Sequence, residues 1–321
     1  MKKRVAKILS AALLLGAASC EHKDLTYETA RTADVDVVFD WREAPDASPA
    51  SMSLYLFPQQ GGEALRYEFI GREGGTIRVP VGNYDAICLN SDTEGLVYRN
   101  GERFESFEVT SQTTDLLSTG LTGLGVRSDT APRAEGTEDE RVALAADTLW
   151  SDSGQDISLA EQAVRSRITL YPEFAVCRYR VEITDAENLK YVSGLSATLS
   201  SMSGGVQPGP GSVSEERVTH PFALRKCEDG TSLAGDLLVF GHCPSESGNH
   251  TLMVYAMLSD GNKFAYTFDA EEVTRQIHSA PDPRNVVIRL RGLPLPKPIV
   301  NGGGFQPEVE DWEQVDVGIA M

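Results

Sequence analysis

The chain has 321 residues, with 47 Asp and Glu against 29 Lys and Arg, a formal charge of −18. A surface this acidic repels phosphate backbones, so nucleic acid is a poor partner, and it repels anionic head groups, so adsorption to a membrane by charge is disfavoured. The length suggests two domains rather than one, and nothing after the first twenty residues is long and apolar enough to read as a membrane-spanning helix.

The amino terminus has its own grammar. Lys2, Lys3, Arg4 and Lys7 precede the apolar run Ile8–Ala18, and small residues lead directly into Cys20. That is the layout of a secretory signal peptide. Ala17, Ala18 and Ser19 before Cys20 resemble the lipobox of bacterial lipoproteins, with Ala17 where Leu is usual. Residues 1–19 are then expected to be removed and Cys20 to carry lipid; an ordinary signal peptide with a chance cysteine is the alternative. Losing the leader removes four basic residues, leaving 25 against 47 acidic ones, a net charge of −22. Of the remaining cysteines, Cys88 and Cys177 fall in apolar strand patterns and read as small hydrophobes. Cys227 and Cys243 are the candidate disulfide for an oxidising compartment, although a hairpin turn at Asp229-Gly230 would set Cys227 opposite Ser232.

Residues 20–33 read as a polar tether. Val35, Val37, Phe39 and Trp41 then alternate with acidic residues, the mark of a half-buried strand. Further strands are expected at Met52–Leu56, Arg66–Ile70, Thr76–Val79, Tyr84–Leu89 and Phe104–Thr110, separated by Gly-Gly and Gly-Asn turns and by Pro45, Pro49 and Pro58. Residues 127–146 are highly charged and predict a long exposed loop. Thr148–Trp150 and Ile157–Leu159 are expected to return to the first domain, and Ala160–Val164 reads as a helical turn or linker. The pattern restarts at Ile168 and Leu170. Cys177–Ile183 and Leu195–Ser200 alternate, Gly204–Ser212 is a loop, and Leu252–Leu258 with Phe264–Phe268 predicts a hairpin with a primed turn at Asp260-Gly261. Asp269 is placed to cap a short helix over Glu272–Ile277. Val286–Leu290 and Trp312–Ile319 are the last strands. Short alternating strands about ten residues apart predict an all-β chain of two tandem antiparallel sandwiches, residues 34–164 and 165–321.

Motifs for chemistry are weak. There is no phosphate loop ending in Gly-Lys-Ser/Thr, no H-E-x-x-H and no G-x-S-x-G elbow. Asn90-x-Asp92-x-Glu94-Gly95 is the nearest approach to a calcium loop, with a polar turn as the plainer reading. His242, Cys243 and His250 are near one another but match no zinc spacing. Glu271-Glu272 and Glu310-Asp311 could serve as an acid–base pair on sugars or simply be solvated faces. Tyr98, Tyr179, Tyr255 and Trp150 could form a sugar platform or lie in the core. No catalytic residue, metal site or cofactor is expected, and the chain reads as a non-enzyme.

CEHKDL at 20–25, DVDVVFDW at 34–41, GGTIRVPVGNYDAICLN at 74–90 and GGGFQPEVEDWEQVDV at 302–317 resemble the fimbrillin-like, fimbrial-anchor lipoproteins of Bacteroidales-type bacteria. The resemblance implies transthyretin-like sandwich domains, lipid such as palmitate on Cys20, and a lipoprotein held at the cell surface in the outer membrane. It also implies partners among fimbrial subunits or other surface proteins, engaged by adding a β-strand to a sheet edge; a glycan is the alternative partner. Val35–Trp41 and Val315–Ile319 are the candidate exchange strands unless they complete their own sheets. Arg31 and Arg42 flank the first strand as candidate processing sites, although a cut there would sever the chain from its lipid.

Overall fold

The computed structural model describes residues 31–160, 166–244, 249–298 and 311–318. Cys20, the leader and most of the tether lie outside them, as do Glu310 and Ile319. The described chain is built from short strands in five sheets. Those of the first half are β1 (Thr32–Phe39), β2 (Ser51–Pro58), β3 (Leu65–Ile70), β4 (Gly74–Pro80), β5 (Gly82–Asn90), β6 (Leu96–Arg99), β7 (Glu108–Ser111), β8 (Arg141–Val142) and β9 (Trp150–Leu159). A one-turn helix, α1 (Thr119–Thr122), lies between β7 and β8. There follow β10 (Ser166–Leu170), β11 (Glu173–Phe174), β12 (Cys177–Ala186), β13 (Val192–Ser203), β14 (Gly205–Gln207), β15 (Ser212–Val213) and β16 (Arg217–Phe222). The last elements are β17 (Arg225–Lys226), β18 (Leu233–Val239), β19 (Leu252–Leu258), β20 (Lys263–Phe268), α2 (Ala270–His278), β21 (Asn285–Leu293) and β22 (Trp312–Val317).

The first sandwich packs sheet β10-β1-β4 on sheet β11-β9-β5-β2-β3. Val35, Val37 and Phe39, the apolar face of β1, meet Met52, Leu54 and Leu56 of β2 in its core. β1 begins at Thr32, two residues ahead of expectation, and is the middle strand of its sheet, so its alternation serves its own fold. The second sandwich packs β17-β18-β12-β21 on β22-β20-β19-β13-β16-β8 around Tyr179, Val181, Ile183, Val254 and Ile288. A small sheet, β15-β14-β7-β6, joins strands of both halves and covers the aromatic outer face of β2 and β5, where Tyr55 and Phe57 meet Phe107. Most pairings are antiparallel; β1–β10, β12–β21, β16–β8 and β20–β22 are parallel.

Several expectations change. A boundary at residue 165 falls ahead of β10 and β11, which pair with β1 and β9, so the first sandwich draws strands from both sides of it. Phe104–Thr110 is not one strand: a 3-10 turn at Phe104–Ser106 precedes β7. The hairpin after β19 has three loop residues, because Gly261 N–H bonds the Leu258 carbonyl and Leu258 N–H the Asn262 carbonyl; Gly261 alone takes a positive φ of 86°. Asp269 caps α2 as expected, accepting from the N–H groups of Glu271 and Glu272 at 2.9 and 3.2 Å.

The largest change concerns residues 127–146. Arg127, Asp129, Glu135, Glu138 and Asp139 are exposed as expected, but Arg133, Glu140 and Arg141 are drawn into the fold and paired there. Glu140 is buried and accepts from Ser201 N–H (3.0 Å), Ser201 Oγ (2.9 Å) and Thr219 Oγ1 (2.7 Å), with Arg217 at 3.0 Å. Arg141 grips Glu216 through Nε (2.8 Å) and Nη2 (3.1 Å), and also reaches the Ser111 carbonyl and Thr110 Oγ1. Arg99 of β6 reaches the same Glu216 at 2.9 Å. Glu140→Ala strips a buried carboxylate from four donors and should lower unfolding free energy by about 3 kcal/mol, measured by urea denaturation, with Glu140→Gln falling between it and the parent.

Gly74 marks a tighter constraint. Its φ is +95°, and a Cβ there would sit 2.2 Å from the Val37 carbonyl oxygen of β1. Gly61 has a similar φ of +86° with nothing within 4 Å. Gly74→Ala should therefore destabilise clearly more than Gly61→Ala, by about 1–3 kcal/mol in excess, when the two are compared in the same denaturation series.

Candidate functional site

The thiols are structural. Cys88 is fully buried in β5, and burial raises its pKa, as it does that of Cys177. A raised pKa keeps a thiol protonated and unreactive. The candidate pair Cys227–Cys243 is not formed; both thiols are free. The hairpin at Asp229-Gly230 is the reason: Cys227 N–H bonds the Ser232 carbonyl at 2.9 Å, while the Cys243 thiol is directed at the Glu215 carbonyl at 3.4 Å.

The acidic loop after β5 is a turn held by its own side chains. Asp92 accepts from Ala50 N–H (2.7 Å) and from Asn90 Nδ2 (2.8 Å), and Asp147 accepts from the N–H groups of Glu94 and Gly95. Asn90 further ties Thr148 and Trp150. A cavity of about 360 Å³ lies beside these groups, but the carboxylates are already spent on backbone donors. Of the carboxylate pairs, Glu272 bonds Arg275 on the surface of α2 while Glu271 is exposed. The four aromatics belong to four different clusters: Tyr98 stacks near Phe107, Tyr179 and Tyr255 are buried, and Trp150 stands edge-on to Trp41 at 6.2 Å. They are core residues, and no shared platform joins them.

The structure does bring three histidines together. His242 follows β18, His250 precedes β19, and His278 ends α2. Ring centroids are 4.8 Å apart for His242–His278, 5.1 Å for His250–His278 and 6.0 Å for His242–His250. His250 Nε2 and His278 Nε2 are 3.1 Å apart. Burial lowers the pKa of His250 to about 4 and also lowers that of His242. The sequence grouped His242 and His250 with Cys243; it gave no sign of His278, which only the packing of α2 delivers. Among the described residues, no three His, Cys, Asp or Glu groups converge on one point as a ready metal site.

Sheet edges are the other exposed feature. Among the described residues β22 pairs with β20 alone and ends the six-stranded sheet; Trp312 packs edge-on to Tyr255 at 5.5 Å, and Val315 and Val317 rest on the second core. A cavity of about 560 Å³ lies at its end, lined by Arg217, Thr251, Phe268, Asp269, Asp316 and Val317. β3 is an edge of the first sandwich and ends in Ile70, which is 97% exposed.

A family model described as "Domain of unknown function (DUF5119)" matches residues 19–223. The chain belongs to that family. Over 196 residues it is 23% identical to the "Putative fimbrium anchoring subunit Fim4B" of Bacteroides ovatus, a match covering 61% of this chain and 53% of that protein. The chain thus spans about half the length of this curated relative. A crystal structure of a "putative adhesin" from Bacteroides ovatus superposes with a TM-score of 0.61 at 18% identity, covering 87% of this chain and 98% of that one. This DUF5119 chain and that adhesin share a fold. The fimbrial anchor protein Mfa2 from Porphyromonas gingivalis aligns more distantly, with a TM-score of 0.47 at 14% identity over 81% of this chain and 90% of that one.

One buried group sets a pH limit. His220 is fully buried on β16; its Nδ1 donates to the Ala143 carbonyl at 2.9 Å and its Nε2 has no partner. Burial lowers its pKa to about 4. The unfolded chain takes up that proton near pH 6.5, so between pH 6.5 and 4 the unfolded state binds more protons and stability falls as the pH drops. Thermal melts from pH 7 to 4.5 should show this decline, with a shallower slope in His220→Gln.

Proposed function

We propose that this chain is a non-enzymatic, lipid-anchored surface protein that holds a fimbria or related adhesive assembly to the outer membrane. The observation that carries the reading is the 196-residue match to the fimbrium anchoring subunit. In this reading residues 1–19 are removed and Cys20 is acylated. Each buried CH₂ contributes about 0.8 kcal/mol, and one chain alone binds only marginally, so several acyl chains fix the anchor. Residues 20–31 then act as a tether, and the two sandwiches, the first completed by β10 and β11, form the body.

Partner contact is assigned to a sheet edge. One side of β22 bonds β20, and among the described residues no strand pairs with its other side, which is where an incoming strand would add. Main-chain hydrogen bonds would supply affinity, and alternating side chains specificity. β1 is a poor exchange strand, since both its edges are occupied and its apolar face fills the first core. For the same reason a cut at Arg31 or Arg42 is not part of the proposed function.

The test compares wild type with Cys20→Ala in native cells. Wild type should fractionate with the outer membrane, begin at an acylated Cys20 by mass spectrometry, and co-purify with fimbrial subunits. Cys20→Ala should lose the acyl group and leave the membrane fraction. A mature protein that starts elsewhere without fatty acid overturns the anchor. Co-purification of a TonB-dependent transporter instead of fimbrial subunits overturns the fimbrial partner in favour of glycan uptake.

A further inference from the structure

The geometry points to a binding site for a borderline transition-metal ion, of the Cu²⁺, Zn²⁺ or Ni²⁺ class, between Nε2 of His250 and Nε2 of His278. The two nitrogens face each other at 3.1 Å. With metal–nitrogen bonds of about 2.05 Å, that separation corresponds to an angle at the metal of about 98°, between cis-octahedral and tetrahedral values. The rings therefore stand where two neighbouring ligands of one ion would stand.

The surroundings fit the same reading. His250 Nδ1 lies 3.3 Å from the Ser200 carbonyl, which holds the proton on Nδ1 and leaves the Nε2 lone pair turned toward His278. A backbone carbonyl behind the ring is the arrangement that orients ligating imidazoles. His242 lies 4.8 Å from His278, its ring tilted 35° against that ring. His242 is a positioning residue, and water completes the coordination. His278 is exposed at the end of α2, which gives the ion a way in, whereas His250 is buried and fixed. Arg217, the cation that acts on His250, is paired with Glu140 at 3.0 Å, so its charge is offset. Imidazole pairs select Cu²⁺, Zn²⁺ and Ni²⁺ over the hard ions Mg²⁺ and Ca²⁺.

With no cation bound, one proton bridges the two nitrogens, and that hydrogen bond is the competing account of the same distance. The experiment separates them. Untagged full-length protein, purified in detergent and stripped with chelator, is titrated with Cu²⁺ and followed by electron paramagnetic resonance, and with Zn²⁺ by calorimetry. One equivalent of Cu²⁺ with nitrogen hyperfine structure from two imidazoles is expected. His278→Ala should weaken binding of both ions by about tenfold or more and remove one nitrogen coupling. His278 is exposed, so this variant keeps its fold, and circular dichroism checks that. His220→Gln, which alters a histidine outside the cluster, should leave the affinity unchanged. No uptake, equal uptake by wild type and His278→Ala, or a copper spectrum without imidazole nitrogen would each overturn the assignment. The result is independent of fimbrial co-purification, so either proposal can fail alone.

Discussion

The fork between Arg141 and Glu216 holds the architecture together. Arg141 sits on the two-residue strand β8, and its guanidinium touches Glu216, just ahead of β16, together with Thr110 and Ser111 of β7. Arg99 of β6 closes on the same carboxylate. One acidic side chain from the second half is thus shared by cations on two strands of the first, Arg99 on β6 and Arg141 on β8. The Arg141 hydrogen bonds hold the Glu216 pKa low, so the pair stays charged under ordinary conditions. Charge-assisted bidentate bonds are directional as well as strong, and here the direction sets how β6, β7 and β8 lie against β14 and β16. The small joining sheet is the consequence.

Glu140, next to Arg141, extends the same logic inward. Its carboxylate satisfies Ser201 on β13 and Thr219 on β16, residues otherwise left polar in a core. Buried charge is tolerated only when paired and hydrogen-bonded, and every neighbour of Glu140 contributes to that. The Glu140–Arg141 end of the charged stretch is accordingly part of the packing.

That stretch also shows where the sequence is legible and where it is not. Two-residue alternation exposed β1 and β12, because each has one face on a core and one toward water; β13 alternates in sequence although both its faces are buried. The same rule caught only the ends of β9, whose middle, SDSGQD, has no apolar residue to alternate and becomes a strand only because β5 and β11 pair with it. It missed the pairing of β8 with β16, since two residues carry no period. It read Glu140 and Arg141 as solvent-facing with the rest of residues 127–146, because composition reports charge and not the partner that cancels it. Parallel pairs such as β1–β10 and β12–β21 join segments more than a hundred residues apart, which no local pattern encodes. The histidine cluster failed the sequence for the same reason: His278 reaches His250 through a helix laid over the sheet.

The middle position of β1 has a mechanical consequence. Tension entering the chain ahead of Thr32 arrives first at a strand clasped on one side by β4 and on the other by β10. A pull along that strand loads both rows of hydrogen bonds in shear, all at once, instead of peeling them open one by one. The aromatic plug formed by Phe39 against Phe69 lies at its far end, so rupture would have to drag a buried ring through the core. A strand clasped on both sides in this way resists being drawn out of its sheet.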